Sequence, residues 1–309
     1  MSSRLIVFAL ITALAGVAAA QSIYRYQDDD GRWHYTDRPP KDGREATIDV
    51  VKQINLDPKV IVTREKIDGG TTVYANNQYH GAVEFEIRLF DTQNIGGGVE
   101  TDVTRVVLPP AEKTPVLKLA AARADAGMSF RYEYKYMLGE PQARHASDYL
   151  YRVPYAVAQR FRVSQAYPMA ITHNASESQY AVDFVMPVGT AIHAARDGTV
   201  VAIAFRSFSG GTDAEDAPKA NIVRIVHDDG TIATYAHLRL DSVRVRPGDT
   251  VQRGEYIADS GNTGFSSGPH LHFAVGHNTG FNLESVPIHF LGPGGKPVVA
   301  KSGQELLAH

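Results

Sequence analysis

From residue 149 onward the chain is cut into short strand-length pieces by turn residues, and nothing between them reads as an amphipathic helix. The pieces are 180–185, 191–194, 199–204, 222–227, 231–237, 243–245 and 271–275, with Asp197-Gly198 and Asp228-Asp229-Gly230 among the turns. Strands this short are not stable alone, and without helical crossovers they pair as an antiparallel β domain. The longest interruption, residues 206–220, is rich in Ser, Gly, Asp and Ala and is long enough to wall a cleft.

The rest of the chain is also mostly β. Val83, Phe85, Ile87 and Leu89 alternate with Glu84, Glu86 and Arg88, and Phe130, Tyr132, Tyr134 and Tyr136 alternate with Arg131, Glu133 and Lys135. Both are period-2 strands with one wet face, and residues 59–139 are expected to form an immunoglobulin-like β-sandwich that spaces or positions its neighbour. The tyrosine row is assigned to its core. Residues 139–148 read as a linker, 149–292 as the C-terminal β domain and 293–309 as a tail.

At the other end, Arg4, the apolar run of residues 5–14 and Ala18-Ala19-Ala20 have the layout of a secretory signal peptide over residues 1–20. The expected protein is then soluble, periplasmic or secreted, with no transmembrane segment after cleavage. Residues 21–58 read as a small hairpin module and linker: Ile23-Tyr24-Arg25-Tyr26 and Trp33-His34-Tyr35-Thr36 flank an Asp-Gly turn. This stretch resembles the uncharacterised domain that follows the signal peptide in many proteobacterial envelope proteins.

Composition narrows the chemistry. The chain has no cysteine, which excludes disulfides, thiol catalysis and thiolate metal sites. A formal net charge of -3 gives no bulk attraction for nucleic acid, which is not expected as a partner. Any metal must rest on His, Asp and Glu. Nine of the twelve histidines lie from His173 onward, so the chemistry belongs to the C-terminal half.

Within that half, His270-Leu271-His272 opens the apolar run Phe273-Ala274-Val275. On a strand His270 and His272 share a face while Leu271 enters the core. Two imidazoles on one face are costly to bury without a partner, and a metal ion is one such partner. The Gly/Ser/Asn-rich run before them places the pair at the rim of a cleft. Two half-exposed strand histidines would give the same local pattern.

The wider succession decides between these readings. His173 and Asp183 precede Met186-Pro187-Val188-Gly189-Thr190; then come Arg196-Asp197-Gly198-Thr199-Val200, Tyr235-Ala236-His237-Leu238 and Gly261-Asn262-Thr263-Gly264, leading to Ser267-Gly268-Pro269-His270-Leu271-His272-Phe273. This series resembles the lysostaphin/LytM-type zinc metallopeptidases, murein endopeptidases of bacterial cell walls, over roughly residues 149–290. The resemblance implies one zinc ion held by His173, Asp183 and His272, with His237 and His270 lining the cleft as catalytic residues. It also implies peptidoglycan stem peptides and cross-links as substrate. Three protein ligands leave the fourth tetrahedral position to water, as catalytic zinc requires. No HExxH helix is present to supply a glutamate base.

One departure is visible. Many members place the first histidine four residues before the aspartate, and here Gln179 stands there. His173 is assigned instead, because an amide is a weak zinc ligand and residues 174–178 are small and polar enough to loop out. Glu177 reads as a loop surface residue, Asn221 and Tyr235 as candidates to line the cleft, and the remaining histidines as structural or solvated. The alternative function is a catalytically inactive peptidoglycan-binding module that regulates another cell-wall hydrolase, which would be its partner.

Overall fold

The computed structural model describes residues 21–27, 33–36, 47–51, 58–96 and 103–309. The expected signal peptide lies outside them. Strand Gln21–Gln27 pairs antiparallel with Trp33–Thr36, as the alternating pattern predicts, and on its other side with Thr47–Val51. That third strand falls in the stretch read as linker, where Ile48, Val50 and Val51 supply β-branched residues. The turn between the first two strands lies outside the described residues. These residues belong to one compact unit and residues 58–309 to a second.

The second unit begins with two antiparallel sheets of three strands. One orders Val60–Ile67, Gly70–Asn77 and Lys113–Ala120; the other orders Val103–Leu108, Val83–Gln93 and Ser129–Leu138. Phe85, Ile87 and Leu89 from the alternating strand are fully buried between them with Val73 and Leu108. Among the described residues this gives six strands, against the seven of a constant-type immunoglobulin sandwich. The tyrosine row is core in part: Phe130 is buried and Tyr132 and Tyr136 pack against the core, while Tyr134 departs from expectation. Tyr132, Tyr134 and Tyr136 form a ladder with ring centroids 6.3 and 6.5 Å apart, and Tyr134 is 42% exposed.

The remainder is organised on a nine-stranded sheet. Its path runs Thr250–Val251, Gly198–Ala204, Ile222–Val226, Ile232–Ala236, His270–Asn278, Val182–Val185, Arg160–Gln165 and Glu305–Leu307, with Leu283–Ser285 paired on the far end of His270–Asn278. Every ladder in it is antiparallel. One face carries the core, where Val223, Ile225, Tyr235, Leu271, Phe273 and Phe184 are fully buried. Each large side chain so buried contributes about 1.5–3 kcal/mol.

Two segments differ from the sequence reading. Residues 243–245 form no strand, since their link to the neighbouring strand is the single bond from Arg244 N to Ile257 O. Residues 293–309 are not a loose tail: Glu305–Leu307 closes the sheet beside Arg160–Gln165, and Ala300, Leu306 and Ala308 are buried in the core. The three-residue strand is too short to announce itself by periodicity.

The six-stranded part is fastened to the larger sheet by a buried carboxylate. Glu84 Oε2 accepts hydrogen bonds from Asn278 Nδ2 at 2.8 Å and Phe281 N at 2.7 Å. Asn278 Nδ2 also donates to Gly139 O. Gly81 sits so close to Val201 that a Cβ there would lie 2.9 Å from its side chain.

Candidate metal centre

The strand His270–Asn278 alternates as expected, with Leu271 and Phe273 in the core and His270 and His272 on the opposite face. Register then selects their neighbours. Asp183 lies directly across from His272 on one side and Ala236 on the other, while Val185 faces His270. Asp183 therefore arrives beside the histidine pair because strand Val182–Val185 buries Val182 and Phe184 on the core side.

Three donors meet there. His272 Nδ1 is 3.0 Å from Asp183 Oδ1, and His173 Nε2 is 3.2 Å from Asp183 Oδ2. The ligating atoms of His173, Asp183 and His272 all lie within 4.8 Å of one another. A tetrahedral ion with bonds of about 2.0–2.2 Å holds its ligand atoms about 3.3–3.6 Å apart. The donor set, two imidazole nitrogens and a carboxylate in a nearly dry site, fits zinc in kind and in spacing. Burial would raise the Asp183 carboxyl, but hydrogen bonds from His173 and His272 outweigh it and hold the group well below the usual carboxylate range.

His237 and His270 stand on the open side of this group. Their ring centroids are 4.5 Å apart, and His237 is 5.9 Å from His272. By strand alternation His237 would point to the core side with Tyr235, away from the face of Ala236. Its backbone instead turns left-handed, with φ 62°, a conformation uncommon outside glycine. The turn is held by bridges from Leu238 to Ser260 and from Gly261 to His270. Gly264, at φ 78°, passes so close to Ala220 that a Cβ would lie 2.6 Å from it.

Both rings have assigned tautomers. His237 Nδ1 donates to Thr263 O at 2.6 Å and His270 Nδ1 donates to Gly268 O at 2.8 Å, which leaves Nε2 of each ring without a hydrogen bond among the described residues; that of His270 is 3.8 Å from Asp183 Oδ2. Burial, reinforced by the neighbouring His270 and His272, pushes the His237 imidazole down to about 4, so it is neutral at pH 7.

The other candidates fall elsewhere. Gln179 is exposed, as is Glu177, and neither joins the cluster. Tyr235 does not line the cleft: it faces Phe273 in the core, is fully buried, and its hydroxyl accepts from Ala195 N at 2.7 Å. Asn221 is also buried and pins the 206–220 loop, with Oδ1 accepting from Ser207 N and Nδ2 donating to Ser207 O and Leu238 O. His193 and His227 donate to backbone carbonyls away from the centre.

Sequence reasoning missed Gln165. Its Nε2 donates to Asp183 Oδ2 at 2.8 Å, while its Oε1 accepts from Ile171 N at 2.7 Å and Thr172 N at 2.9 Å. One amide thus ties the aspartate to the loop that delivers His173. The loop needs the tie, because His173 Nδ1 is buried without a hydrogen-bond partner among the described residues. A strand alternation of apolar and polar residues over 160–165 was the only signal available, and it carried no chemistry.

Residues 177–283, which hold Asp183, His237, His270 and His272, match the description "Peptidase family M23". These residues are an M23 peptidase domain. The matched span of the M23 domain begins just after His173. Residues 10–62 match a "Domain of unknown function (DUF4124)". The glycyl-glycine endopeptidase ALE-1 of Staphylococcus capitis is 36% identical over 107 residues, 35% of this chain and 26% of that protein. The peptidoglycan DD-endopeptidase ShyA of Vibrio cholerae serotype O1 is 32% identical over 124 residues, 39% of this chain and 26% of that protein. The chain thus spans about a quarter of the length of each. The solved catalytic domain of lysostaphin from Staphylococcus simulans is 29% identical, with 41% of this chain and 88% of that chain covered at a TM-score of 0.30.

Proposed function

We propose that the protein is a zinc-dependent endopeptidase that hydrolyses peptide cross-links of bacterial peptidoglycan. The observation that carries this reading is the convergence of His173, Asp183 and His272 beside two further imidazoles, His237 and His270. The M23 match and the peptidoglycan and glycyl-glycine endopeptidases among its relatives support the substrate class.

A zinc ion held by the three donors would supply Lewis acidity, lowering the pKa of a water to about 7 and polarising a peptide carbonyl. The chain's own part follows from its hydrogen bonds. Asp183 stays ionised, and strand register holds it directly across from His272. Thr263 O and Gly268 O fix the rings of His237 and His270 so that each offers Nε2. One ring accepts the proton of the attacking water at Nε2 and, protonated, passes it to the leaving amine; the other steadies the charge on the carbonyl oxygen only in its imidazolium form, donating from Nε2.

The test is release of soluble muropeptides from isolated peptidoglycan by the purified full chain. Release is expected to stop on chelation and return with zinc. Stoichiometric zinc without cleavage of any peptide bond would overturn the reading in favour of a binding module.

A further inference from the structure

The M23 domain has one buried arginine and, on its sheet, one half-buried arginine, and they are treated very differently. Arg196 is fully paired: its guanidinium donates to Tyr151 Oη and Asp229 Oδ2 and forms an ion pair with Asp228. Arg224 has none of this. Its Nε is buried without a hydrogen-bond partner, and neither terminal nitrogen makes a hydrogen bond or an ion pair among the described residues. A guanidinium drawn even partly out of water is ordinarily paired, because desolvation without a partner is costly. Burial indeed pulls the Arg224 guanidinium below its ordinary range. Glu177, the carboxylate that acts on it most, lies on the exposed loop after His173 and makes no ion pair with it.

Its position gives the arginine a use. Arg224 lies across from Thr234, which lies across from Ala274, so the three form one row. The next row along the same face is Ile222, Ala236, His272 and Asp183. The row on the other side is Val226, Ile232 and Gly276, and the six-stranded part packs over it through Gly81 against Val226 and Gly139 against Ile232. Arg224 therefore stands on the face that carries the metal donors, between them and the wall made by the six-stranded part. Two strand spacings across and two residues along put its Cα about 12 Å from that of His272, the reach of three or four extended residues.

We propose that Arg224 is a substrate-binding residue that takes a carboxylate of the bound peptide, three or four residues from the bond that is cut. A guanidinium fork matches a carboxylate with two parallel hydrogen bonds, and partial burial strengthens them. An acidic peptide laid along the face from the donors toward the wall brings such a group to it. The acid is a side-chain carboxylate or the peptide's terminal carboxylate; the chemistry at Arg224 is the same. This rests on the peptidase reading for the direction of the peptide but not for the binding itself.

The experiment therefore reads binding rather than cleavage. The probe is a purified cross-linked muropeptide dimer, titrated calorimetrically into the full chain at low temperature with the metal chelated. It is used native, with all carboxylates converted to methylamides, and with the terminal carboxylates alone converted. Wild type is expected to bind the native dimer about tenfold more tightly than the fully converted one. Arg224→Gln is expected to bind both alike, at the weaker level, and Arg224→Lys to fall between. The terminally converted dimer tells which carboxylate is read. Equal binding of native and converted dimers by wild type overturns the proposal, and so does an Arg224→Gln variant that still distinguishes them. Glu177→Gln should leave the native dimer's affinity unchanged or improved; a tenfold loss there would mean that Arg224 serves Glu177 and not the peptide. Tight, carboxylate-dependent binding in a protein that cuts nothing would sink the peptidase reading and leave this one standing.

Discussion

Asp183 and His272 face each other across adjacent antiparallel strands, and their side chains meet at 3.0 Å. The contact is made by register, so it exists only in the folded sheet, and it supplies two of the three donors. The third, His173, comes from a loop, and the predictions divide along that line.

His173→Ala is expected to abolish stoichiometric zinc binding, while Gln179→Ala keeps it, because Gln179 is exposed and outside the cluster. Zinc affinity by competition with a chelating dye measures both. A loss confined to Gln179→Ala would move the site.

Gln165→Ala should weaken zinc by about 10–100-fold, the usual effect of removing a partner that orients a ligand. The variant should fold, since the amide sits at the end of its strand and its backbone partners are unaffected. Unchanged affinity would reduce Gln165 to a loop staple. Protection of the amides of Ile171 and Thr172 from hydrogen exchange should fall in the same variant.

His237→Ala and His270→Ala should each lower hydrolysis by about 10²–10⁴-fold with zinc still bound. Neither belongs to the converging trio. Metal analysis of the two variants is the control, and loss of zinc from His270→Ala alone would invert the assignment within the histidine pair.

The pH dependence of stability should carry the mark of His227. It is 4% exposed, and burial pushes its imidazole down to about 4. Above about pH 6.5 the ring is neutral in both states. Below that the unfolded chain takes up a proton that the folded one refuses, so stability falls as pH drops toward 4. The contribution lost approaches about 3 kcal/mol. Urea melts between pH 7.5 and 4.5 should show a shallower decline for His227→Phe than for wild type. Parallel declines would assign the effect to other groups.

Much of this was legible in the chain. Val83 to Leu89 and Leu271 to Val275 wrote their strands in alternation, and the two histidines of His270-Leu271-His272 kept the shared face that period 2 demands. What stayed hidden depended on distant partners. Gln165 acquires its role only because its strand pairs with that of Asp183, eighteen residues on. Tyr235 was misjudged for the same reason, since its parity becomes evident only once Phe273 is known to be opposite. His237 breaks parity outright through its left-handed backbone, which alternation does not anticipate. Short closing strands such as Glu305–Leu307 carry too few residues for a pattern.

The row that joins Ile222, Ala236, His272 and Asp183 has a consequence for insertions and deletions. Losing or gaining one residue within any of these strands swaps its two faces, and would send a metal donor into the core and a core residue into the cleft. The loop of residues 174–181 is under no such rule, because added length costs a loop only slowly. The number of residues between the first histidine and the aspartate can therefore change without moving the strand that carries Asp183, whereas a single residue gained or lost inside that strand cannot.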